Sequence, residues 1–275
     1  MGRVTVRDKV WRIKGAESGE RLDSLVVEEP LEVRLGGRAL AVTMRTPGHD
    51  FELATGFLVS EGVVTEAEQV HSIRYCAGAT DDGSNTYNVL DVVLAPGVTV
   101  PELSLERNFY TTSSCGVCGK ASLEAVRTIA RFPVDGDPVR FSTSVLAALP
   151  DRLREAQRVF ERTGGLHAAA LVTPEGELLA VREDVGRHNA VDKLVGWATR
   201  ERGLPLSGTG LLVSGRASFE LAQKALMAGI PLLAAVSAPS SLAVELAADS
   251  GLSLVGFLRG ESMNVYAGRE RVFVG

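Results

Sequence analysis

The feature that most constrains this chain is the alternation in its second half. Leu166–Thr173 is an apolar strand, Pro174–Glu177 a turn, and Leu178–Arg182 a hairpin partner. A helix pattern over His188–Arg202 follows, then the strand Gly210–Val213 and a helix over Ser218–Ala228. The strand Leu232–Val236, a helix over Ser240–Asp249 and the strand Ser253–Phe257 complete the series. Short, uniformly apolar strands separated by helices imply a largely parallel sheet covered on both faces. The uncharged run Ala225–Val244 is long enough for a bilayer. Pro231, Pro239 and the serines Ser237, Ser240 and Ser241 make it a strand, a turn and a helix start instead.

The first hundred residues read mostly as strands. Leu31–Leu35 and Arg38–Met44 are joined by Gly36-Gly37, a two-residue hairpin signal. Asp50 caps a helix to Ser60, with Phe51, Ala54, Phe57 and Leu58 on one face and Gly62 closing it. Val70–Tyr75 and Tyr87–Leu94 are further strands, with an exposed loop over Gly78–Asn85. Beyond the Pro-rich break at 95–101 a helix is expected over Ala121–Arg131, and two short ones over Ser144–Leu149 and Asp151–Thr163. The expected architecture is α/β: a smaller β-rich α+β domain over 1–110 and an α/β domain over 111–275.

Hydrophobic residues make up 45% of the 275, enough for a core, and the net charge is −5. No global basic field attracts nucleic acid. Three cysteines make no disulfide framework, and the start of the chain lacks the apolar stretch of a signal peptide. The expectation is a cytoplasmic protein that binds neither nucleic acid nor membrane.

The sharpest chemical feature is Cys115-Gly-Val-Cys118, set in a small, polar stretch. Cysteines at i and i+3 suit zinc ligation, dithiol redox chemistry or sulfur carriage as a persulfide. Zinc needs further ligands, and only Cys76 and the scattered His49, His71, His167 and His188 are available. A deaminase-type site wants His-x-Glu, whereas His167 precedes Ala168-Ala169. Arg107 and Lys120 favour a thiolate, which sulfur transfer requires.

Three other segments gather polar groups where strands meet helices. Ser214-Gly215-Arg216 follows one strand, and Ala238–Ser241 follows the next; helix starts at a sheet's carboxyl edge attract anions. Arg187, His188 and Asn189 project from a third helix start. Phe257–Tyr266 leaves the last strand at the same edge.

Four stretches together resemble the formate dehydrogenase accessory sulfurtransferase family. They are the segment 45–58 from Arg45, the segment 113–120 with the cysteine pair, Glu183–Lys193, and Ser214–Ser218. The resemblance implies a sulfurtransferase loaded by a cysteine desulfurase through a persulfide on Cys115, with Cys118 as helper thiol. The sulfur passes to a molybdenum cofactor bearing two molybdopterin guanine dinucleotides, before insertion into formate dehydrogenase. The resemblance also implies a cytidine-deaminase-like C-terminal domain and a homodimer; from the residues, no metal site is expected. It places cofactor contacts at Phe257, Leu258, Arg259, Gly260, Glu261 and Ser262, with a guanine nucleotide as partial mimic. The residues add Ser214, Gly215, Arg216, Arg187, His188 and Asn189. Two rivals stay open: a cofactor-binding chaperone without sulfur transfer, and a zinc-dependent deaminase relative.

Overall fold

The structure is a computed structural model, and it describes residues 3–76, 86–100 and 130–275. The expected domain boundary near 110 and most of the expected helix at 121–131 lie outside these residues, as does the cysteine pair.

Strands β1 (Thr5–Lys14) and β2 (Glu17–Val26) form a two-stranded antiparallel ribbon. β3 (Glu29–Leu35) and β4 (Arg38–Arg45) are the expected hairpin, turning on Gly36 and Gly37, both at positive φ. Helix α1 spans Asp50–Ser60. β5 (Val70–Tyr75) and β6 (Val89–Leu94) complete a four-stranded sheet of order β4-β3-β6-β5.

The larger unit starts with β7 (Phe141–Ser142), α2 (Thr143–Ala156) and α3 (Arg158–Thr163). Two short helices were expected, broken near Pro150. The helix instead runs through Pro150 and breaks at Gln157. Leu146, Leu149 and Leu153 lie on one stripe and are fully buried, which offsets the proline's missing N–H.

Then follow β8 (His167–Val172), β9 (Leu178–Asp184), α4 (Arg187–Glu201), β10 (Gly210–Val213), α5 (Phe219–Met227), β11 (Leu232–Ala235), α6 (Ser241–Ser250), β12 (Ser253–Arg259), β13 (Ser262–Ala267) and β14 (Val272–Phe273). The sheet order is β13-β12-β11-β10-β8-β9. Only β10, β11 and β12 are mutually parallel; β8 runs antiparallel to β10, and β13 antiparallel to β12. The expected largely parallel sheet is therefore mixed. The tight turn after Val172 folds β9 straight back, so no crossover helix constrains the direction of β8.

Both faces of this sheet are covered. Ala169, Leu171, Leu211 and Leu254 face one apolar cluster, and Ala168, Ala170, Leu212 and Val255 face a second under α2. The first cluster continues through Leu53 and Leu58 of α1 to Leu31, Val33 and Leu90 of the small sheet. One core thus joins the small sheet to the large one.

The joint is the crossing of α1 and α4. A Cβ on Gly56 would lie 1.8 Å from the Asp192 carbonyl oxygen, and one on Gly196 would lie 1.9 Å from that of Glu52. The two backbones touch, and only glycine allows it. Charge pairs are buried around this joint. Arg45 and Asp50 are 1% and 2% exposed at 3.0 Å, and Lys193 and Asp184 are 1% and 0% exposed at 2.7 Å. Lys224 Nζ donates to both carboxylate oxygens of Asp192, which also accepts from Ser60 Oγ. The charges of Asp184, Asp192 and Lys193 therefore tie segments together inside the protein rather than solvating a surface.

Candidate functional site

The mixed sheet places one group of chain ends on one rim. β9, β10, β11 and β12 end there and, because β8 is antiparallel to β10, β8 begins there. Helices α4, α5 and α6 all start at this rim, so their free N–H groups and positive dipole ends converge.

The two strand-to-helix turns are fastened to each other. Ala217 N donates to Ala238 O at 3.2 Å, and Ser240 N to Ala217 O at 2.9 Å. Ser237 N donates to Gly215 O at 3.3 Å. Ser240 caps α6 by accepting from Ala243 N at 3.2 Å. Ser214 Oγ accepts from Ala168 N at 2.9 Å, fixing the first turn to β8. Arg216 is exposed above this frame.

The start of α4 divides its three expected site residues. Asn189 turns inward: its amide donates to Met44 O at 2.7 Å and Asp184 Oδ1 at 3.0 Å, and its carbonyl accepts from Thr43 Oγ1. His188 faces α5, with Nε2 2.7 Å from Glu220 Oε2 and 3.3 Å from Ser218 Oγ. That hydrogen bond holds the Glu220 carboxyl below the ordinary carboxylate range, against the opposing effect of burial. Arg187 carries a buried Nε with no hydrogen-bond partner among the described residues. An unmatched buried donor costs about 1–3 kcal/mol, and such groups mark places built for something else.

At the end of β12 the register with β13 shifts between Gly256 and Arg259. Phe257 sits there at φ 56, left-handed for a bulky side chain, and is 37% exposed. Strain of this kind collects at functional sites. Leu258 packs into the second core cluster. Arg259, Gly260, Glu261 and Ser262 are exposed, with Gly260 at positive φ. Of the six residues expected at this end, five are at the surface and Leu258 anchors them.

Two residues that sequence reasoning left aside sit in this neighbourhood. His167 lies beside Gly215, where a Cβ would be 3.4 Å from its Nδ1. Burial, then the charges of Arg187 and His188, hold its imidazole below the usual histidine range. Glu220 is the second, through His188. His167 was weighed only as a metal ligand, and a parallel β8 would have put it on the opposite rim. Among the described residues no group of three or more His, Cys, Asp or Glu can hold a metal. Cys76 is a free, half-buried thiol at the end of β5.

The match to known proteins is nearly end to end. The FdhD/NarQ family model matches residues 26–273. The chain belongs to the FdhD/NarQ family. It is 71% identical over 273 residues to the sulfur carrier protein FdhD of Streptomyces avermitilis, covering 99% of this chain and 97% of that one. It is 58% identical over 275 residues to the protein of the same name from Mycobacterium tuberculosis, covering 99% and 100%. A crystal structure from Desulfotalea psychrophila, assigned as a formate dehydrogenase accessory protein, matches with a TM-score of 0.75 at 23% identity. It covers 98% of this chain and 100% of the other, which supports the fold. The stretches Arg45–Leu58 and Glu183–Lys193, by which the family resemblance was drawn, are largely the joint between the two sheets. Arg187 and His188 in the second stretch face the rim.

Proposed function

We propose that this protein is a sulfur carrier for formate dehydrogenase. Cys115 takes sulfur from a cysteine desulfurase as a persulfide and delivers it to the molybdenum cofactor carrying two molybdopterin guanine dinucleotides. The observation that carries the reading is 71% identity, across 99% of the chain, to a protein named as a sulfur carrier. The rim adds physical support. A guanine dinucleotide is rich in phosphate, and three helix starts, the buried Arg187 Nε, without a partner among the described residues, and the exposed Arg216 and Arg259 suit such a guest.

Release of the sulfur has a balanced route. The Cys118 thiolate attacks the inner sulfur of the Cys115 persulfide, forms a Cys115–Cys118 disulfide and expels hydrosulfide toward the acceptor. Two external thiols then reduce the Cys115–Cys118 disulfide by successive exchange, leave as their own disulfide and restore the pair. We assign the cofactor contacts to Ser214, Gly215, Arg216, Arg187, His188 and the exposed part of Phe257–Ser262. The inward amide of Asn189 shapes the helix start.

A cytidine-deaminase-like arrangement of the C-terminal half belongs to the same proposal; the helix-covered six-stranded sheet supports it. So does a homodimer. The β1–β2 ribbon leaves Trp11, Ile13 and Leu22 exposed at 67%, 70% and 60%, and an isolated ribbon of two strands is marginal in water. A cytoplasmic location fits reduced-thiol chemistry.

The test is direct. After incubation with a desulfurase and cysteine, the peptide bearing the pair gains about one sulfur atom in intact-mass analysis. A folded Cys115→Ala variant takes up none and does not restore formate dehydrogenase activity. Full activity in that variant would favour the cofactor-binding chaperone instead, because the rim is independent of the cysteines.

A further inference from the structure

Arg187 and His167 are neighbours at the rim. Arg187 holds a buried Nε without a partner among the described residues, and the His167 imidazole lies beside it, both side chains within 4 Å of where a Cβ on Gly215 would sit. The nearby acid groups are already engaged. Asp184 is fully buried and bound to Lys193, Asn189 and the Gly186 amide. Glu220 on α5 is bound to His188. Two cation-forming groups thus face the start of β8 with no free carboxylate to match them among the described residues.

We propose that His167 contacts the phosphate groups of the ligand at this rim and takes up a proton as they settle against Arg187. The inference rests on the reading that a guanine dinucleotide binds here, and extends it to a residue and a proton. The groups facing His167 are Arg187 and His188 from α4, Asp184 from the end of β9, and Gly215 from the turn after β10. In the free protein, burial and the positive charges of Arg187 and His188 disfavour the imidazolium and hold the ring below the usual histidine range. An arriving phosphate reverses the local sign of charge and favours the imidazolium. No bond is made or broken except N–H, and the proton comes from solvent.

The sign follows from linkage. The proton is bound more tightly with ligand than without, so affinity rises as pH falls through the interval between the two His167 values. One linked proton allows at most about tenfold per pH unit. Below the free-protein value the ring is charged beforehand, and the dependence flattens.

The probe is diguanosine diphosphate, whose pyrophosphate diester has no group titrating near neutral pH. Calorimetry at pH 7 in two buffers of different ionisation enthalpy counts the protons. The wild type should take up a substantial fraction of one proton per site. His71→Gln, at an exposed position on β5, should keep that uptake. His167→Gln should still bind, several-fold more weakly, with no uptake and a flat pH profile. The protein has four histidines, and following their ring signals in the unmodified chain gives the same answer without a variant. Binding with no proton uptake, or uptake that survives His167→Gln, overturns the role of His167 and leaves the rim intact. No binding by the wild type overturns the rim itself.

Discussion

Replacing Gly196 with alanine should destabilise the protein by about 2 kcal/mol or more. The new methyl would sit 1.9 Å from the Glu52 carbonyl oxygen and 2.8 Å from the Gly56 nitrogen. Both atoms are backbone, so no side chain can swing away. Ordinary contact begins near 3.4 Å, and the helices must part by about 1.5 Å. Overpacking of this kind costs about 1–3 kcal/mol, and parting two helices that share a core lies at the upper end. Alanine's better helix propensity returns about 1 kcal/mol. The assay is urea denaturation followed by circular dichroism, at unchanged slope. The Gly56→Ala variant meets the Asp192 carbonyl in the same way. Once the helices have parted for one methyl, the second costs less. The double variant should therefore lose less than the two single losses added together. A Gly196→Ala protein as stable as the wild type would mean that the two backbones are not in contact.

Other outcomes follow from the same structure. Lys193→Met strands the carboxylate of Asp184 in the interior and should cost about 3–5 kcal/mol, measured by the same denaturation. Burial raises the Glu52 carboxyl, but hydrogen bonds from Arg182 and His49 outweigh it and bring it down to about 2. The stability from that carboxylate is complete above its ordinary value of 4.5 and is lost as pH falls from 4.5 toward about 2. Arg182→Met should flatten the acid-side loss of stability; an unchanged pH slope would refute the pairing. Phe257→Gly removes a left-handed conformation costing about 1 kcal/mol, so stability should hold or rise while affinity for diguanosine diphosphate falls; equal affinity would count against Phe257 as a contact.

Much of the fold was legible because hydrophobic period reports directly on local structure. The hairpin at Gly36-Gly37, the strands Gly210–Val213 and Leu232–Val236 and the three helices that start at the rim all appear within a residue or two of expectation. Pro150 misled because a proline's local cost was weighed without the buried leucine stripe that outweighs it. The charged stretch around Asp184 and Lys193 suggested a functional cluster, and the motif is mostly an internal tie. Charge in a sequence does not say whether its partner is water or a residue 147 positions away, as Thr46 is for Lys193.

By itself, the sequence determined which segments are strands and helices, which residues are candidates for thiol and anion chemistry, and the family to which the chain belongs. Tertiary structure decided the direction of β8, the backbone contact of Gly56 with Gly196, and the company His167 keeps. Periodicity is a property of neighbours along the chain, whereas strand direction and helix contact are settled by which apolar faces are buried together. Reversing one strand moves its first residue from one rim of the sheet to the other, and that is how a histidine weighed in the sequence only as a metal ligand comes to lie beside Arg187 and Gly215.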